Sequence, residues 1–146
     1  MEEAPIVFID ADEDDQSMFK KALMELEITH PVVVFSEGVA ALEYLQTTNQ
    51  LTFLVISEIS MPGMNGLELR EQIEKDPQMR KKSIPFVFLT YPVVDHLVEQ
   101  AYELTIQGLF EKKINFAEWK QQLKAIIDYW TECQHPKRFA ADQSLQ

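Results

Sequence analysis

LTFLVISEISMPGMNG, which runs from Leu51 to Gly66, is the stretch around which the rest of the chain is organised. It begins as an apolar run rich in β-branched residues, a pattern typical of a strand that is buried on both faces. It ends in a run of turn-forming residues, Met61–Gly66, that stops the strand. The carboxylate of Glu58 lies at this junction. Parallel sheets collect their chemistry where the strands end, so Glu58 is either a functional residue or an ordinary exposed glutamate at a strand end.

The composition is that of a soluble globular domain with an acidic surface. The 146 residues are enough for one domain with a buried core, and hydrophobic and charged residues make up 46% and 25% of the chain. The formal net charge of −11 disfavours binding to nucleic acid or to an anionic membrane, because both repel a polyanion. A basic protein surface or a bound cation is the kind of partner that this charge favours.

The sequence predicts a cytoplasmic protein. Its single cysteine, Cys133, excludes an internal disulfide and a cysteine-based zinc site, and fits a reducing compartment. No apolar run approaches the length that is needed to cross a bilayer. The N-terminus is acidic and leads directly into a short apolar run, which argues against a signal peptide.

Strand-like and helix-like patterns alternate five times along the chain. Short apolar runs predict strands, and apolar residues at helical spacing predict the helices between them. Because the strands are uniformly apolar, the pattern predicts a parallel sheet with helices on both faces. The predicted strands are Ile6–Ile9, Val32–Phe35, the apolar run that begins at Leu51, Ile84–Leu89 and Gly108–Phe110. The predicted inward-facing helix residues are Met18, Phe19, Ala22, Leu23 and Leu26, then Val39, Leu42 and Leu45, then Leu69 and Ile73, then Leu97, Val98, Ala101 and Leu104, and finally Phe116, Trp119, Leu123, Ile126, Ile127 and Trp130.

A single domain is expected to span residues 1–133. No internal repeat or low-complexity linker divides the chain. Residues 134–146 contain a His-Pro pair and small polar residues, so they are expected to form a frayed tail. The third helix is expected to end near Asp76-Pro77, because proline does not continue a helix that precedes it.

An acidic run follows the first predicted strand. Five of the six residues from Asp10 to Asp15 are acids. Such a run is either a solvated face or a helix cap whose first-turn acids complement the helix dipole. Asp12 is the expected N-cap, since the helical apolar spacing begins shortly after it.

Chemically active side chains follow four of the five predicted strands. Asp10 follows the first strand, Glu58 the third, Thr90 the fourth and Lys112 the fifth. The carboxyl ends of parallel strands share one edge of the sheet, so two acids, a hydroxyl and an ammonium are expected to meet there. Each residue alone is weak evidence for a functional site. The indication is that all four are placed at strand ends.

The chain resembles the receiver domains of two-component response regulators over about Ile6–Trp130. The resemblance rests on four motifs in the same order and at similar intervals. They are the acidic cluster after the first strand, the Met-Pro-x-x-x-Gly run of Met61–Gly66, Phe88-Leu89-Thr90, and Phe110-Glu111-Lys112.

The resemblance implies a flavodoxin-like fold, a (βα)5 three-layer sandwich with a central parallel five-stranded sheet. In that family an aspartate at the end of the third strand takes a phosphoryl group from a histidine kinase. Two acids after the first strand and a backbone carbonyl help to hold Mg²⁺, which neutralises the transferring group. A threonine and a lysine contact the phosphate, and the corresponding positions are Thr90 and Lys112 here.

The site departs from the family pattern at four positions. The acceptor position is Glu58, and Ala11 replaces one of the two acids of the metal site. Lys113 stands where a proline is expected, and Leu109 stands at the switch position where an aromatic residue is expected. Glutamate moves the carboxylate by one methylene, and a misplacement of about 1 Å can cost about 100-fold in rate.

Metal binding is expected to be weak or absent. The remaining candidate ligands for Mg²⁺ are Asp10, Glu58 and the backbone carbonyl of Ser60. Asp12 is a candidate substitute for the missing acid, although a helix cap is the simpler role for it.

Two arrangements of Glu58 are open. In one, its longer side chain reaches Lys112 and forms a permanent ion pair that holds Thr90 and the loop after it in one state. In the other, Glu58 points to solvent and the domain is a folded relic.

Three functions are therefore considered. The favoured hypothesis is a single-domain receiver with a degenerate phosphorylation site that acts by protein–protein contact and is not an enzyme. The second is a working receiver that is phosphorylated inefficiently on Glu58 or Asp12. The third is a small α/β enzyme that uses Asp10, Thr90 and Lys112, which is weak because no nucleophile–base pair is apparent and no histidine falls at a strand end.

The expected partners are proteins and not nucleic acids or membranes. The resemblance implies a histidine kinase or phosphotransfer protein upstream and an effector downstream. Self-association is the other expectation, through the face formed by the fourth predicted helix, the fifth strand and the fifth helix. Leu97, Tyr102, Leu109 and Trp119 fall in this region, and most of them are expected to belong to the core.

Overall fold

Strands and helices alternate along residues 3–136, the part of the chain that the computed structural model describes. The strands are β1 (Ile6–Ile9), β2 (Val32–Phe35), β3 (Leu54–Ser57), β4 (Phe86–Thr90) and β5 (Gly108–Glu111). The helices are α1 (Glu13–Glu25), α2 (Gly38–Thr47), α3 (Gly66–Lys75), α4 (Pro77–Lys82), α5 (Asp95–Glu103) and α6 (Phe116–Glu132). The predicted alternation is confirmed, with α4 as an additional short helix.

The sheet is parallel throughout, with the strand order β2-β1-β3-β4-β5. β1 pairs on both sides, since Ile6 lies opposite Val32 of β2 and opposite Leu54 of β3. The connection after β1 leads to β2 on one side of it, and the later strands are added on the other side. The carboxyl ends of β1 and β3 therefore lie side by side. Open α/β sheets bind their ligands at this point. The predicted flavodoxin-like sandwich with a parallel five-stranded sheet is confirmed.

Two apolar layers, one on each face of the sheet, hold the fold together. On one face α1 and α6 pack over β1, where the rings of Phe8 and Phe19 stack with centroids 3.9 Å apart. The indole of Trp119 closes this cluster at 6.4 Å from Phe19. On the other face the remaining helices cover Phe86 and Phe88, whose rings meet edge to face at 5.2 Å. Aromatic pairs of this kind add about 0.5–1.5 kcal/mol beyond the burial of their area.

Two elements near the β2 edge of the sheet are less buried than their apolar residues would suggest. β2 is half-buried along its whole length, because it is an edge strand with a neighbour on one side only. In α2 the inward face is Gly38, Ala41 and Leu45, whereas Val39 is 56% exposed. A Cβ at Gly38 would lie 2.9 Å from the Met64 carbonyl oxygen, so this close approach fixes the rotation of the helix and turns Val39 outward.

Pro77 begins a helix instead of only ending the previous one. Asp76 caps α4 by accepting from the amides of Gln78 and Met79, and proline suits the first helical position because no intrahelical donor is needed there. Met79 is buried at 3% exposure and anchors the turn to the core. None of the helices within residues 3–136 combines the length and the apolar character that crossing a bilayer requires.

α5 is less buried than its pattern predicts. Of the four residues expected to face inward, only Ala101 is buried, and Leu97, Val98 and Leu104 are half-buried. α5 covers the β5 edge of the sheet, where fewer residues are available to enclose a helix.

The start of the predicted tail is packed against the domain. The ring of His135 lies 4.9 Å from that of Phe53, and its Nε2 lies 2.6 Å from the carbonyl oxygen of Trp130. Within the predicted tail these contacts belong to His135, and residues 137–146 lie outside the described residues.

Candidate functional site

The sheet brings the four predicted strand-end residues to one edge. Asp10 directly follows β1 and Glu58 directly follows β3, and the Glu58 amide donates to the carbonyl of Ile9 at 2.8 Å. Thr90 is the last residue of β4, and its carbonyl accepts from the Lys112 amide at 2.8 Å. The ladder thus continues past the strand ends and fixes where these side chains start. With Asp15 from α1 they form the carboxyl-edge site.

The Lys112 ammonium lies at the centre of the carboxyl-edge site. Its Nζ is 2.7 Å from a carboxylate oxygen of Asp15, 2.9 Å from one of Asp10 and 3.0 Å from one of Glu58. A lysine ammonium has three N–H donors, and each of them has one acidic partner here. The predicted ion pair between Glu58 and Lys112 is confirmed, and it is part of a larger cluster.

Glu58 is buried and all of its hydrogen-bonding capacity is directed inward. Its Oε2 accepts from Lys112, and its Oε1 accepts from the Ile59 amide at 2.8 Å and the Ser60 amide at 3.2 Å. The same Oε1 accepts from the hydroxyl of Thr90. Only 8% of Glu58 is exposed, so the alternative in which it points to solvent is wrong.

The turn after β3 explains how Glu58 is presented. A Cβ at Gly66 would lie 2.4 Å from the Glu58 carbonyl oxygen, so only glycine lets α3 begin directly beneath this carbonyl. The Gly66 amide donates to the carbonyl of Ile59 at 2.8 Å, which closes the turn. A capping box between Asn65 and Glu68 then starts α3. The second half of the stretch Leu51–Gly66 therefore holds Glu58 in position.

Asp10 and Asp12 of the acidic run have different roles. Asp10 is 3% exposed, and its Oδ1 accepts from the Asp12 amide at 2.9 Å. Asp12 caps α1 as predicted, since its Oδ1 accepts from the amides of Asp14 and Asp15 at 2.8 and 3.1 Å. One oxygen of the Asp12 carboxylate is thus used at the helix end.

Asp15 is the functional residue that the sequence analysis missed. It lies three residues after the cap, in the first turn of α1, and its side chain returns to the sheet edge to bind Lys112. The available signal was its spacing from Asp12, because a side chain at the third helical position lies beside the N-cap.

Burial and charge oppose each other in the carboxyl-edge site. Burial raises the pKa of Asp10, although the Asp12 amide and the Lys112 ammonium act in the other direction. Burial by itself lowers the pKa of Lys112, but the hydrogen bond that Lys112 donates to Asp15 and the charges of Asp10 and Glu58 together raise it above its ordinary value. Three carboxylates and one ammonium leave a formal excess of negative charge, which the hydrogen bonds from three amides and a hydroxyl offset.

The carboxylate oxygens of this site that a divalent cation would use are already hydrogen-bonded within the chain. A hard cation needs several free oxygens, and those of Asp10 and Glu58 already accept from Lys112 and from backbone amides. Ala11 supplies no further oxygen. Within residues 3–136, no group of three or more His, Cys, Asp or Glu side chains is placed to hold a metal ion.

A cavity of about 540 Å³ lies over the carboxyl-edge site. Its rim includes Ser60, Lys113 and the exposed side chains of Tyr91 and Ile114. Leu109, the predicted switch residue, is not among the lining residues and packs instead as a half-buried side chain in the apolar layer under α5. The structure therefore unites Asp10, Glu58, Thr90 and Lys112 but leaves Leu109 outside.

The loop after β4 is held at both ends. Thr90 binds Glu58 through its hydroxyl, and the Val93 amide donates to a carboxylate oxygen of Glu111 at 3.1 Å. The peptide bond between Tyr91 and Pro92 is cis. Helix α5 begins two residues after Val93, so the position of Thr90 bears directly on where this helix starts.

Comparison with known proteins agrees with this fold. The family model of the response regulator receiver domain matches residues 6–124. The response regulator Rcp1 of Synechocystis is 23% identical over 132 residues, which cover 87% of this chain and 88% of Rcp1.

Solved structures extend the comparison to three dimensions. The phosphorylated cyanobacterial phytochrome response regulator RcpA superposes with a TM-score of 0.81 at 22% identity, covering 92% of this chain and 99% of that one. The Mn²⁺-bound form of Rcp1 superposes with a TM-score of 0.80 at 23% identity, with the same two coverages. With more than half of its length matched by the family model, this chain belongs to the response regulator receiver domain family of two-component signalling.

Proposed function

We propose that this receiver domain signals without phosphorylation, as a module whose switch is held in one state by its own side chains. The observation that carries the proposal is the Glu58 carboxylate, which binds the Lys112 ammonium through one oxygen and the Thr90 hydroxyl through the other. In this scheme Glu58 supplies the negative charge that a phosphoryl group would otherwise add.

The surroundings of Glu58 support this proposal over phosphoryl transfer. Nucleophilic attack needs a free carboxylate oxygen in line with the phosphorus, and both oxygens of Glu58 have partners. Phosphoryl transfer also needs a cation to neutralise the transferring group. Here the Lys112 ammonium occupies the space between the carboxylates of Asp10, Asp15 and Glu58, and Ala11 removes an acid from this edge.

The output of the module passes through contact with a partner protein. Thr90 holds the loop that leads into α5. The proposed contact face is formed by α5 together with β5 and α6. On this face Tyr102 is 49% exposed and Leu97 and Leu109 are half-buried, whereas Trp119 is a core residue at 1% exposure. We expect a histidine kinase, a phosphotransfer protein, an effector or a second copy of this chain to recognise the exposed part of the face.

Slow phosphorylation of Glu58 or Asp12 is the second candidate. The cavity of about 540 Å³ over the site has room for a phosphoryl donor, which favours it. Against it, the Asp12 carboxylate is bound by two helix amides.

Incubation with acetyl phosphate and Mg²⁺, followed by measurement of the intact mass, distinguishes the two. The native chain is expected to keep its mass, and the Ala11→Asp, Glu58→Asp double variant is expected to gain one phosphate. The matched control is the Ala11→Asn, Glu58→Asn variant, which has the same side-chain volumes and no carboxylates. A stoichiometric gain of one phosphate by the native chain would overturn the proposal.

Thermal unfolding with and without Mg²⁺ gives a second readout. At millimolar Mg²⁺ the melting temperature of the native chain is expected to stay within about 1 °C, because a ligand stabilises only the protein that binds it. The melting temperature of the Ala11→Asp, Glu58→Asp variant is expected to rise by several degrees in Mg²⁺. Stabilisation of the native chain by a similar amount would mean that Asp10 and Glu58 release Lys112 to bind the cation.

A further inference from the structure

A buried arginine lies near the amino edge of the sheet, the edge at which the strands begin. One part of this edge holds a cavity of about 240 Å³ whose walls include the rings of His30, Phe53 and His135. At another part, Arg70 of α3 extends past Phe86, the first residue of β4, to the end of α5. Arg70 is only 7% exposed and takes no part in the carboxyl-edge site. A buried charge is costly unless it is paired, so its contacts indicate what it does.

The guanidinium of Arg70 binds the last carbonyl groups of α5. Its Nε donates to the carbonyl of Leu104 at 2.9 Å, and its Nη2 donates to the carbonyl of Thr105 at 3.1 Å. The last carbonyls of a helix have no partner within the helix, and a cation beside them also complements the helix dipole. The last turn of α5 contains no basic residue of its own. Arg70 therefore supplies from α3 the cap that α5 lacks.

Thr105 follows α5 in a conformation that its side chain disfavours. Its φ of 58° lies in the left-handed region, where helix ends usually place glycine and where a β-branched residue is an outlier. Two side chains of α3 hold it there. The Thr105 hydroxyl lies 2.7 Å from a carboxylate oxygen of Glu74 and 3.3 Å from Nη2 of Arg70. A strained conformation persists only where the surrounding contacts enforce it.

α5 has few buried contacts of its own. Ala101 is the one residue of this helix that is buried. Its N-cap residue, Val94, makes no side-chain hydrogen bond to the start of the helix. By contrast, α3 is anchored in the apolar layer through Leu69 and Ile73. A helix with few buried contacts is the kind of element that opens locally while the rest of the protein stays folded.

We propose that Arg70, together with Glu74, is a latch that fixes the end of α5, and that α5 opens locally when this latch is broken. α3 is the rigid side of the latch, and Thr105 is the strained side. Because α5 belongs to the contact face proposed above, a partner protein would bind a face whose shape depends on Arg70. Only this consequence rests on the proposed function, since the latch itself can be tested without a partner.

Amide hydrogen exchange of the full chain, measured by NMR at low urea concentrations, tests the latch. The amides of Leu104 and Thr105, which bond within the last turn of α5, report on the end of the helix. In the native chain they are expected to exchange by local opening at a rate that hardly depends on urea, whereas the amides of β1 follow global unfolding. In Arg70→Met the rate at the end of α5 is expected to rise at least about tenfold and to stay insensitive to urea, because hydrogen bonds from a charged group are lost.

Three further variants guard the interpretation. Arg80→Met removes an exposed arginine of α4 and is expected to change neither set of amides. Arg70→Lys keeps a charge but not the planar fork that spans two carbonyls, so it is expected to give a smaller acceleration at the same amides. Glycine adopts a positive φ without steric cost, so Arg70→Met is expected to accelerate exchange by a smaller factor in a Thr105→Gly background.

The proposal is overturned if the amides at the end of α5 exchange only by global unfolding in the native chain, or if Arg70→Met leaves their exchange unchanged. It is also overturned if Arg70→Met has the same effect in the Thr105→Gly background, because Arg70 would then not act through Thr105. If Arg70→Met does not fold, unchanged exchange at the end of α5 in Arg70→Lys overturns it in the same way.

Discussion

The two edges of the sheet are built on opposite principles. At the carboxyl edge, buried charges satisfy one another, and Lys112 alone binds three carboxylates. At the amino edge the walls are apolar and aromatic, and the Thr52 hydroxyl is left without a partner in the described chain. A receiver domain has its chemistry at the first of these edges, where the side chains of this chain bind one another.

The difference follows from what each edge is made of. The carboxyl edge places four side chains by the ends of strands, so their positions are fixed by the sheet and their charges must balance locally. The amino edge consists of loops and of the end of α6, and its rings adjust to one another by stacking. A charged network is costly to open, whereas an apolar cavity can accept a ligand without breaking a contact.

The largest expected effect is that of Lys112→Met, which removes the cation from the closed edge. The carboxylates of Asp10, Asp15 and Glu58 would lose their common partner, and breaking a buried pair in this way costs about 3–5 kcal/mol. Urea unfolding at neutral pH measures the loss. The deficit is expected to shrink in mild acid, because burial already raises the pKa of Asp10 and protonation then removes part of the repulsion.

Lys124→Met is the matched control for this loss of an ammonium. Lys124 pairs with Asp128 on α6, and both side chains are half exposed. Exposed pairs contribute about 0–1 kcal/mol, so this variant should unfold almost like the native chain. Equal losses for the two lysine variants would show that the carboxyl edge is not a closed network.

Much of the carboxyl edge could be predicted from the sequence, and the reasons are physical. Asp10, Glu58, Thr90 and Lys112 each follow a short apolar run, and the carboxyl ends of parallel strands must share an edge. Asp15 could not be placed in the same way. Its reach depends on the rotation of α1, which is set by a cap and by packing against α6.

The amino edge could not be predicted. Its cavity is assembled from five chain segments without periodicity, and its stack joins His30 to a residue more than a hundred positions later, His135. The orientation of α2 was missed for a related reason, because it depends on the contact between Gly38 and Met64. Local pattern predicts which residues form an element, and long-range contact decides how that element is turned.

Thr90→Val is expected to have the next largest effect. It keeps the shape of a side chain that is 2% exposed but removes the hydroxyl that donates to Glu58. A hydrogen bond to a charged group contributes about 1.5–3 kcal/mol, so the free energy of unfolding should fall by about that amount. Thr90→Ser, which keeps the hydroxyl, should recover most of it. A neutral effect of Thr90→Val would mean that Glu58 does not depend on this contact.

High pH offers a graded way to open the same edge. The pKa of Lys112 is raised in the folded state above its ordinary value of 10.5, so its contribution to stability is complete below that pH. The contribution is lost as the pH rises from the ordinary value through the raised one, with a slope of up to about 1.4 kcal/mol per pH unit from this group. Urea unfolding of the native chain over this range measures the slope.

Lys112→Arg separates this slope from that of other groups that titrate at high pH. Guanidinium stays protonated over the range, so the variant should lack the part of the slope that Lys112 contributes. Parallel slopes for the two proteins would place the alkaline sensitivity elsewhere in the molecule.

The smallest expected effect, and the most discriminating one, comes from making the same substitution at the other edge. Thr52→Val removes a buried hydroxyl that has no partner in the described chain, so it should leave the free energy of unfolding unchanged or raise it by up to about 1 kcal/mol. Thr90→Val, equal in chemistry and similar in burial, should lower it. We expect opposite signs for the two threonines because only the Thr90 hydroxyl has a partner within residues 3–136, and urea unfolding of both variants measures the signs directly. A loss at Thr52 comparable to that at Thr90 would mean that its hydroxyl already has a partner, and the amino edge would then be as closed as the carboxyl edge.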